Sequence, residues 1–273
     1  MARKLAFLLL LISCRSPSIP PITFQEDFEK PGFRENWDWI DTCGPNSIIR
    51  TDSVARTGRY ALRIELNHDD STEAGLNTTV LEKYALDRDT TQYWWGFSNY
   101  LPADFAVDSV LDVFAYWYPK NEACELSVLS PVILNVVKKS WQLKISWSAK
   151  SMCDPQFRPE NIQTKEFDLG PWEKSIWSDW LFHIHFSYQD DGYVQVWKNG
   201  KLLLDYRGPC LYKDADFVNF KIGIMKWTWN NRWRDSVEQS VIRHRHYFID
   251  NIRIGNRKAS VADFILKSQD LPK

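Results

Sequence analysis

His183 and His185 stand two residues apart in the run Trp177 to Tyr188, Trp-Ser-Asp-Trp-Leu-Phe-His-Ile-His-Phe-Ser-Tyr. Side chains there alternate with period two. Trp180, Phe182, Ile184 and Phe186 fall on one face, and Leu181, His183, His185 and Ser187 on the other. Two imidazoles on one strand face are groups that can exchange protons near neutral pH. Other chemistries lack their signatures. Paired carboxylates at the short strand spacing of a glycoside hydrolase are absent, as are serine-hydrolase, phosphate-loop and zinc-protease motifs. The cysteines show no Cys-X-X-Cys spacing, so their expected role is structural. Tryptophan is abundant, 14 in 273 residues. Many will be core or cross-strand partners, and the surplus suits stacking on the apolar faces of sugars.

The elements that must carry these groups read as an antiparallel meander. Asp190-Asp191-Gly192 and Asn199-Gly200 are hairpin turns, and Asn219 to Trp229 supplies a further strand. Upstream, Ala61 to Leu66, Ala74 to Leu81, Tyr93 to Pro102, Val110 to Tyr118, Val132 to Val137 and Trp141 to Trp147 read as strands. In Val110 to Tyr118, alternation puts Val113, Ala115 and Trp117 on one face and Phe114, Tyr116 and Tyr118 on the other. Residues 149–175 read as irregular, Asn230 to Arg245 as a polar, Arg-rich insertion, and Ala259 to Leu266 as a short closing helix.

Three segments, Trp-X-Asp-Trp-X-Phe-His-Ile (177–184), Asp-Gly-X-X-X-Val-Trp-Lys-Asn-Gly-Lys (191–201) and Phe-Lys-Ile-Gly-Ile (220–224), together resemble the heparin lyase I and glucuronan lyase type of polysaccharide lyase. Trp94 to Pro102 fits the same family as Trp-X-Gly-Phe-X-X-Tyr-Leu-Pro. The resemblance extends from about Phe24 to Gly255. It implies an all-β fold, a two-sheet antiparallel β-jelly roll of the concanavalin A-like sandwich type, whose concave sheet forms a groove for an acidic polysaccharide.

Lyases of this type cleave by β-elimination beside a uronic acid. They need a group that neutralises the carboxylate, a base for the α-proton and an acid for the departing oxygen. The family draws these from an Arg-X-Glu-Leu strand, a Gln-X-His strand and a Phe-Lys-X-Gly-X-Tyr strand. This chain departs at all three. Glu73-Ala74-Gly75-Leu76 replaces the first, Tyr116-Trp117-Tyr118 the second, and Met225 stands where the tyrosine belongs. The resemblance therefore implies a groove lined by Glu73, His183, His185, Lys221, Met225, Trp227 and Trp229. In it, Tyr118 could act as base beside Lys221, with Tyr116 or His68 as acid. Two functions follow as expectations: polysaccharide binding with weak or absent turnover, or a lyase with a rebuilt tyrosine site. The opening strand and Tyr247 to Ile254 also resemble carbohydrate-binding sandwiches that hold a structural Ca²⁺, which puts Glu26 or Asp27 with Asp250 forward as ligands.

A basic start and a short apolar run, Leu5 to Ile12, read as an export signal over residues 1–13. Leu11-Ile12-Ser13-Cys14 resembles a bacterial lipobox, with Cys14 lipidated and residues 14–21 as tether. A domain at 22–257 and a tail at 258–273 follow. The expectation is an exported bacterial lipoprotein in the periplasm or at the cell surface, monomeric and touching the membrane through its lipid alone. Without residues 1–13 the chain has 32 basic against 35 acidic residues, so a basic nucleic-acid surface is not a global feature. Cys43, Cys124, Cys153 and Cys210 fit two disulfides, and 124–153 with 43–210 is the preferred pairing of the three possible.

Overall fold

The computed structural model describes residues 19–70, 77–84, 91–121, 124, 129–229 and 240–266. Cys14, Glu73 and most of the Arg-rich insertion lie outside them. Fifteen strands are ordered along the chain as β1 (Ile22–Glu26), β2 (Trp39–Asp41), β3 (Ile48–Thr51), β4 (Ala61–Asn67), β5 (Thr78–Lys83), β6 (Gln92–Tyr100), β7 (Asp108–Lys120), β8 (Val132–Lys138), β9 (Ser140–Trp147), β10 (Gln163–Pro171), β11 (Trp177–His185), β12 (Tyr193–Lys198), β13 (Lys201–Arg207), β14 (Phe217–Met225) and β15 (His244–Gly255). One sheet runs β13-β12-β11-β6-β15-β4-β3, with β1 added on β15, and the other runs β10-β9-β8-β7-β14-β5-β2. Both are antiparallel, and together they form the all-β jelly-roll sandwich.

The hairpin from β12 to β13 turns on Asn199 and Gly200, at φ 51° and 75°. An Asn-Gly pair tolerates that left-handed geometry, so the register of the meander follows from two residues. Inward alternation then fills the space between the sheets. Trp180, Phe182 and Ile184 from β11 meet Trp117 from β7 and Phe220 and Ile222 from β14 in one core. Burial of this many aromatic rings, each worth about 2–3 kcal/mol, is the main force holding the sheets face to face.

The alternation breaks once, with consequences for the site. On β7, Val113 pairs Asn135 of β8 while Ala115 pairs Leu134, so Phe114 is an extra residue in a bulge. Phe114, Ala115 and Trp117 all enter the core, whereas Val113 joins Tyr116 in a separate cluster on the outer face of the second sheet. The expected grouping, Val113 with Ala115 and Trp117 and Phe114 with Tyr116 and Tyr118, is therefore reversed at these two positions. Strand β14 carries a matching irregularity between Ile222 and Met225. Gly223 sits there at φ 152°, and a Cβ on it would collide with the Thr79 carbonyl. Only glycine allows β14 and β5 to approach so closely.

Three other expectations change. Residues 149–175 are not irregular throughout: β10 pairs with β9 as an edge strand. It was hidden because its residues are mostly exposed and only Phe167 and Leu169 mark an apolar side. The closing helix is a single 3-10 turn, Val261–Phe264, with Phe264 laid over Trp94. Cys124 and Cys153 are bonded, but Cys43 and Cys210 form no disulfide with each other. Cys43 Sγ donates to the Thr78 carbonyl, whereas Cys210 is buried against the His185 carbonyl on the other sheet.

Candidate functional site

The outer face of the second sheet gathers the groups that could do chemistry. Alternation on β7 and β14 presents Tyr116, Tyr118, Lys221 and Met225 together, with Tyr116 paired opposite Lys221. Lys221 Nζ lies 5.9 Å from the Tyr116 ring centre and 5.2 Å from that of Tyr118. It is not an unclaimed cation. Glu82, from the neighbouring β5, holds it at 2.9 Å, with the two side chains 18% and 5% exposed. Glu82 also accepts from Asn219 Nδ2 at 2.7 Å. Asp41 of β2 lies alongside, and burial raises its pKa, with Lys221 pulling the other way and Glu82 adding to the rise. Two carboxylates thus surround one lysine. Tyr116 is buried, and that burial drives its phenol far above the usual range, helped by Glu82 and Asp41. It keeps its proton and can serve only as an acid.

None of the seven strands of this sheet contains an arginine or a histidine. Two further lysines share its outer face: Lys144 of β9, 3.6 Å from Glu166 of β10, and Lys120 of β7, 5.1 Å from the Tyr118 ring centre. A uronate carboxylate laid over Lys221 or Lys144 would meet a lysine that already has a carboxylate partner.

His183 and His185 do not join this face. They belong to β11 of the first sheet and point away from the core, since Phe182 and Ile184 between and beside them point into it. His183 stacks on Trp94 with ring centres 3.8 Å apart. Its Nδ1 donates to Gln195 Oε1, and its Nε2 accepts from Gln92 and from the Tyr193 hydroxyl. Burial lowers its pKa, so it is a neutral ring satisfied on both nitrogens. His68 lies in the turn after β4. Its Nδ1 is 2.8 Å from Asp69 and its ring 5.5 Å from Trp229. Trp229 is 3% exposed and belongs to the inter-sheet core, so it cannot stack on a sugar. Trp227, in the same 3-10 turn, does reach the outer face, where it walls a cavity of about 260 Å³ with Asn135, Gln142 and Lys144.

The three carboxylates named for Ca²⁺ lie at the corner of β1 and β15. Asp250 is fully buried, and its oxygens accept from the backbone N–H groups of Arg56, Thr57 and Asn251. Burial lifts its pKa to about 7 against those hydrogen bonds. Glu26 accepts from Phe28 N and Asn36 Nδ2, and Asp27 from Glu29 N. No group of three His, Cys, Asp or Glu side chains arranged for a metal occurs among the described residues. Arg50 already donates to the carbonyls of Phe28 and Glu29 at the same corner.

Several residues of the outer face went unread in the sequence. Glu82 and Asp41 lie on strands whose partners were unknown, so their approach to Lys221 had no local signal. Asn135 did have one, as the lone polar residue inside the apolar run Val132 to Val137.

Comparison with known proteins places this geometry. The family model described as Polysaccharide lyase matches residues 29–253. Among solved structures, the endo-β-1,4-glucuronan lyase of the fungus Trichoderma reesei superposes with a TM-score of 0.72 at 16% identity, over 88% of this chain and 98% of that one. The PL-14 alginate lyase of Aplysia kurodai does so at 0.54 and 12% identity, over 81% and 91%. The Cellulose induced protein, Cip1, gives 0.54 and 12% over 85% and 96%. No curated protein matches the sequence.

Proposed function

From the premise that this chain belongs to the polysaccharide lyase family, we propose that it binds a polysaccharide along the outer face of the second sheet, with lyase turnover weak or absent. The observation that carries this reading is the absence of arginine and histidine from all seven strands of that sheet, together with the capture of Lys221 by Glu82. Abstraction of a proton next to a carboxylate needs that carboxylate neutralised, and a lysine already compensated by Glu82 and Asp41 neutralises little more. The aromatic and amide side chains of the same face serve binding of a neutral or sparsely charged glycan. Titration with neutral and uronic oligosaccharides tests the reading, which fails if neither kind binds.

Lys221 above the Tyr118 ring favours a second reading, an active lyase. There the Tyr118 phenolate would take the proton α to the carboxylate. The freed electron pair would form the ring double bond as the bond to the leaving oxygen breaks, and Tyr116, holding its proton, would protonate that oxygen. Unsaturated product formed by the wild type and lost on Tyr118→Phe would establish it.

Two further parts of the proposal rest on sequence motifs. Lipidation at Cys14 would place the protein on a bacterial membrane, and Cys14→Ala should then release it from the membrane fraction. A structural Ca²⁺ would draw on Asp250 with Glu26 or Asp27. Its support is a buried carboxylate whose oxygens receive only backbone N–H groups, and in that case chelation should lower the Tm of the wild type but not of Asp250→Ala.

A further inference from the structure

We propose that the cavity beside the tyrosine cluster is a subsite for one uncharged hexopyranose ring, held by Asn135, Gln142, Trp227 and Thr228. This rests on the reading of the second sheet's outer face as a glycan-binding surface, and it assigns that surface a specific position and sugar class.

Two orphaned polar atoms point to a ligand. Asn135 is 4% exposed and Thr228 3% exposed, and both line the cavity. Neither Asn135 Oδ1 nor Thr228 Oγ1 has a hydrogen-bond partner among the described residues. A buried acceptor left unpaired costs about 1–3 kcal/mol, so two in one cavity mark a place where donors are expected from outside. Asn135 Oδ1 can only accept, which calls for an O–H or N–H. Thr228 can give or take. Sugar hydroxyls meet both needs.

The remaining walls fix the class. Lys144 and Glu166 face each other at 3.6 Å, so the cavity presents no net charge and offers nothing extra to a carboxylate or sulfate. Gln142 adds an amide that can both donate and accept. Trp227 offers an aromatic surface, and Val110, Leu111 and Val137 complete an apolar side for the C–H face of a ring. A volume of about 260 Å³ lies just below the ~300–1,000 Å³ of drug-sized pockets, the size for one ring and not two. Register places the cavity next to the tyrosines. Ile133 pairs Tyr116 and Asn135 pairs Val113, so Asn135 is two residues along β8, about 7 Å from the Tyr116 level. Neighbouring rings of one chain could occupy the cavity and the Tyr116–Tyr118 cluster at once.

The test is calorimetric titration of the full chain with cellotetraose, β-1,4-mannotetraose, β-1,4-galactotetraose and tetraglucuronate. At least one neutral tetrasaccharide should bind the wild type, and Asn135→Ala and Trp227→Ala should each weaken it about tenfold, the scale of one lost hydrogen bond or stacking contact. Asn135→Ala should leave the Tm unchanged or raise it, since it deletes an unpaired acceptor. Thr228→Val, isosteric and lacking only the hydroxyl, gives the same readout if the alanine variant fails to fold. Neutral binding unaffected by all three variants would overturn the subsite while leaving the wider groove reading intact. Binding of tetraglucuronate alone would overturn the uncharged class. No binding of any probe would remove both.

Discussion

Lys226→Met removes the cation from a buried network that fixes one end of the proposed groove. Lys226 is 0% exposed, and its Nζ lies 2.7 Å from Asp108, 2.8 Å from Asp112 and 3.3 Å from the Val110 carbonyl. Arg245 takes the other oxygen of Asp112 at 2.7 Å and rests over the Phe105 ring. Two cations and two carboxylates therefore balance in an almost dry interior. Without Lys226, Asp112 retains Arg245, but among the described residues Asp108 is left with the Ser240 hydroxyl and the Val110 N–H. Breaking a buried ion pair from one side costs about 3–5 kcal/mol, or roughly 6–20 °C in Tm at this chain length. The sign of the pH dependence follows. Burial tends to raise the Asp108 pKa, but the hydrogen bonds and charge of Lys226 and the Ser240 bond bring it below the usual carboxylate range. In the wild type this stabilisation is fully present above about pH 4 and is lost as the pH falls through the folded value. In Lys226→Met the stranded carboxyl takes up a proton on mild acidification, so the deficit should shrink between pH 7.5 and 5. Urea unfolding at both pH values measures it. A loss below about 1 kcal/mol, or one that does not change with pH, would refute the assignment of this network.

Three other outcomes follow from the geometry. Glu82→Gln releases Lys221 and should strengthen binding of glucuronan oligosaccharides about fivefold, the scale of ~1 kcal/mol for one partly exposed ion pair, as read by calorimetry; weaker binding would show that Lys221 is not compensated as described. Burial lowers the pKa of His183, and of His246 despite Asp104. The unfolded chain then binds protons that the folded one does not, so stability should hold above about pH 6.5 and fall below it, and His183→Gln should remove part of that slope in thermal melts. Gly223→Ala should prevent soluble expression or lower the Tm severely, because its Cβ would strike the Thr79 carbonyl.

The fold was legible wherever a local rule governs it. Asn199-Gly200 announces its hairpin, and the alternation through Trp180, Phe182 and Ile184 announces the buried face of β11. Pairing between distant strands has no such local mark. The bulge at Phe114 depends on β8 and β14 lying on either side of β7, and it exchanged the faces of Val113 and Phe114. The outward position of His183 could be read, but not which sheet carries it. Lys221 and the tyrosines could be placed on one face by parity, whereas Glu82, which neutralises Lys221, comes from 139 residues away in sequence and gave no sign. Trp227 and Trp229 share a parity that would face both the same way in a strand, but the chain turns there into a 3-10 helix and buries Trp229.

The most direct measurement follows absorbance near the unsaturated-uronate band while purified protein is incubated with glucuronan and with a heparin-like polysaccharide, alongside a binding titration on the same samples. Saccharide binding with little or no rise in absorbance is the predicted result. A sustained rise by the wild type, abolished by Tyr118→Phe, would contradict it and establish elimination at the tyrosine site.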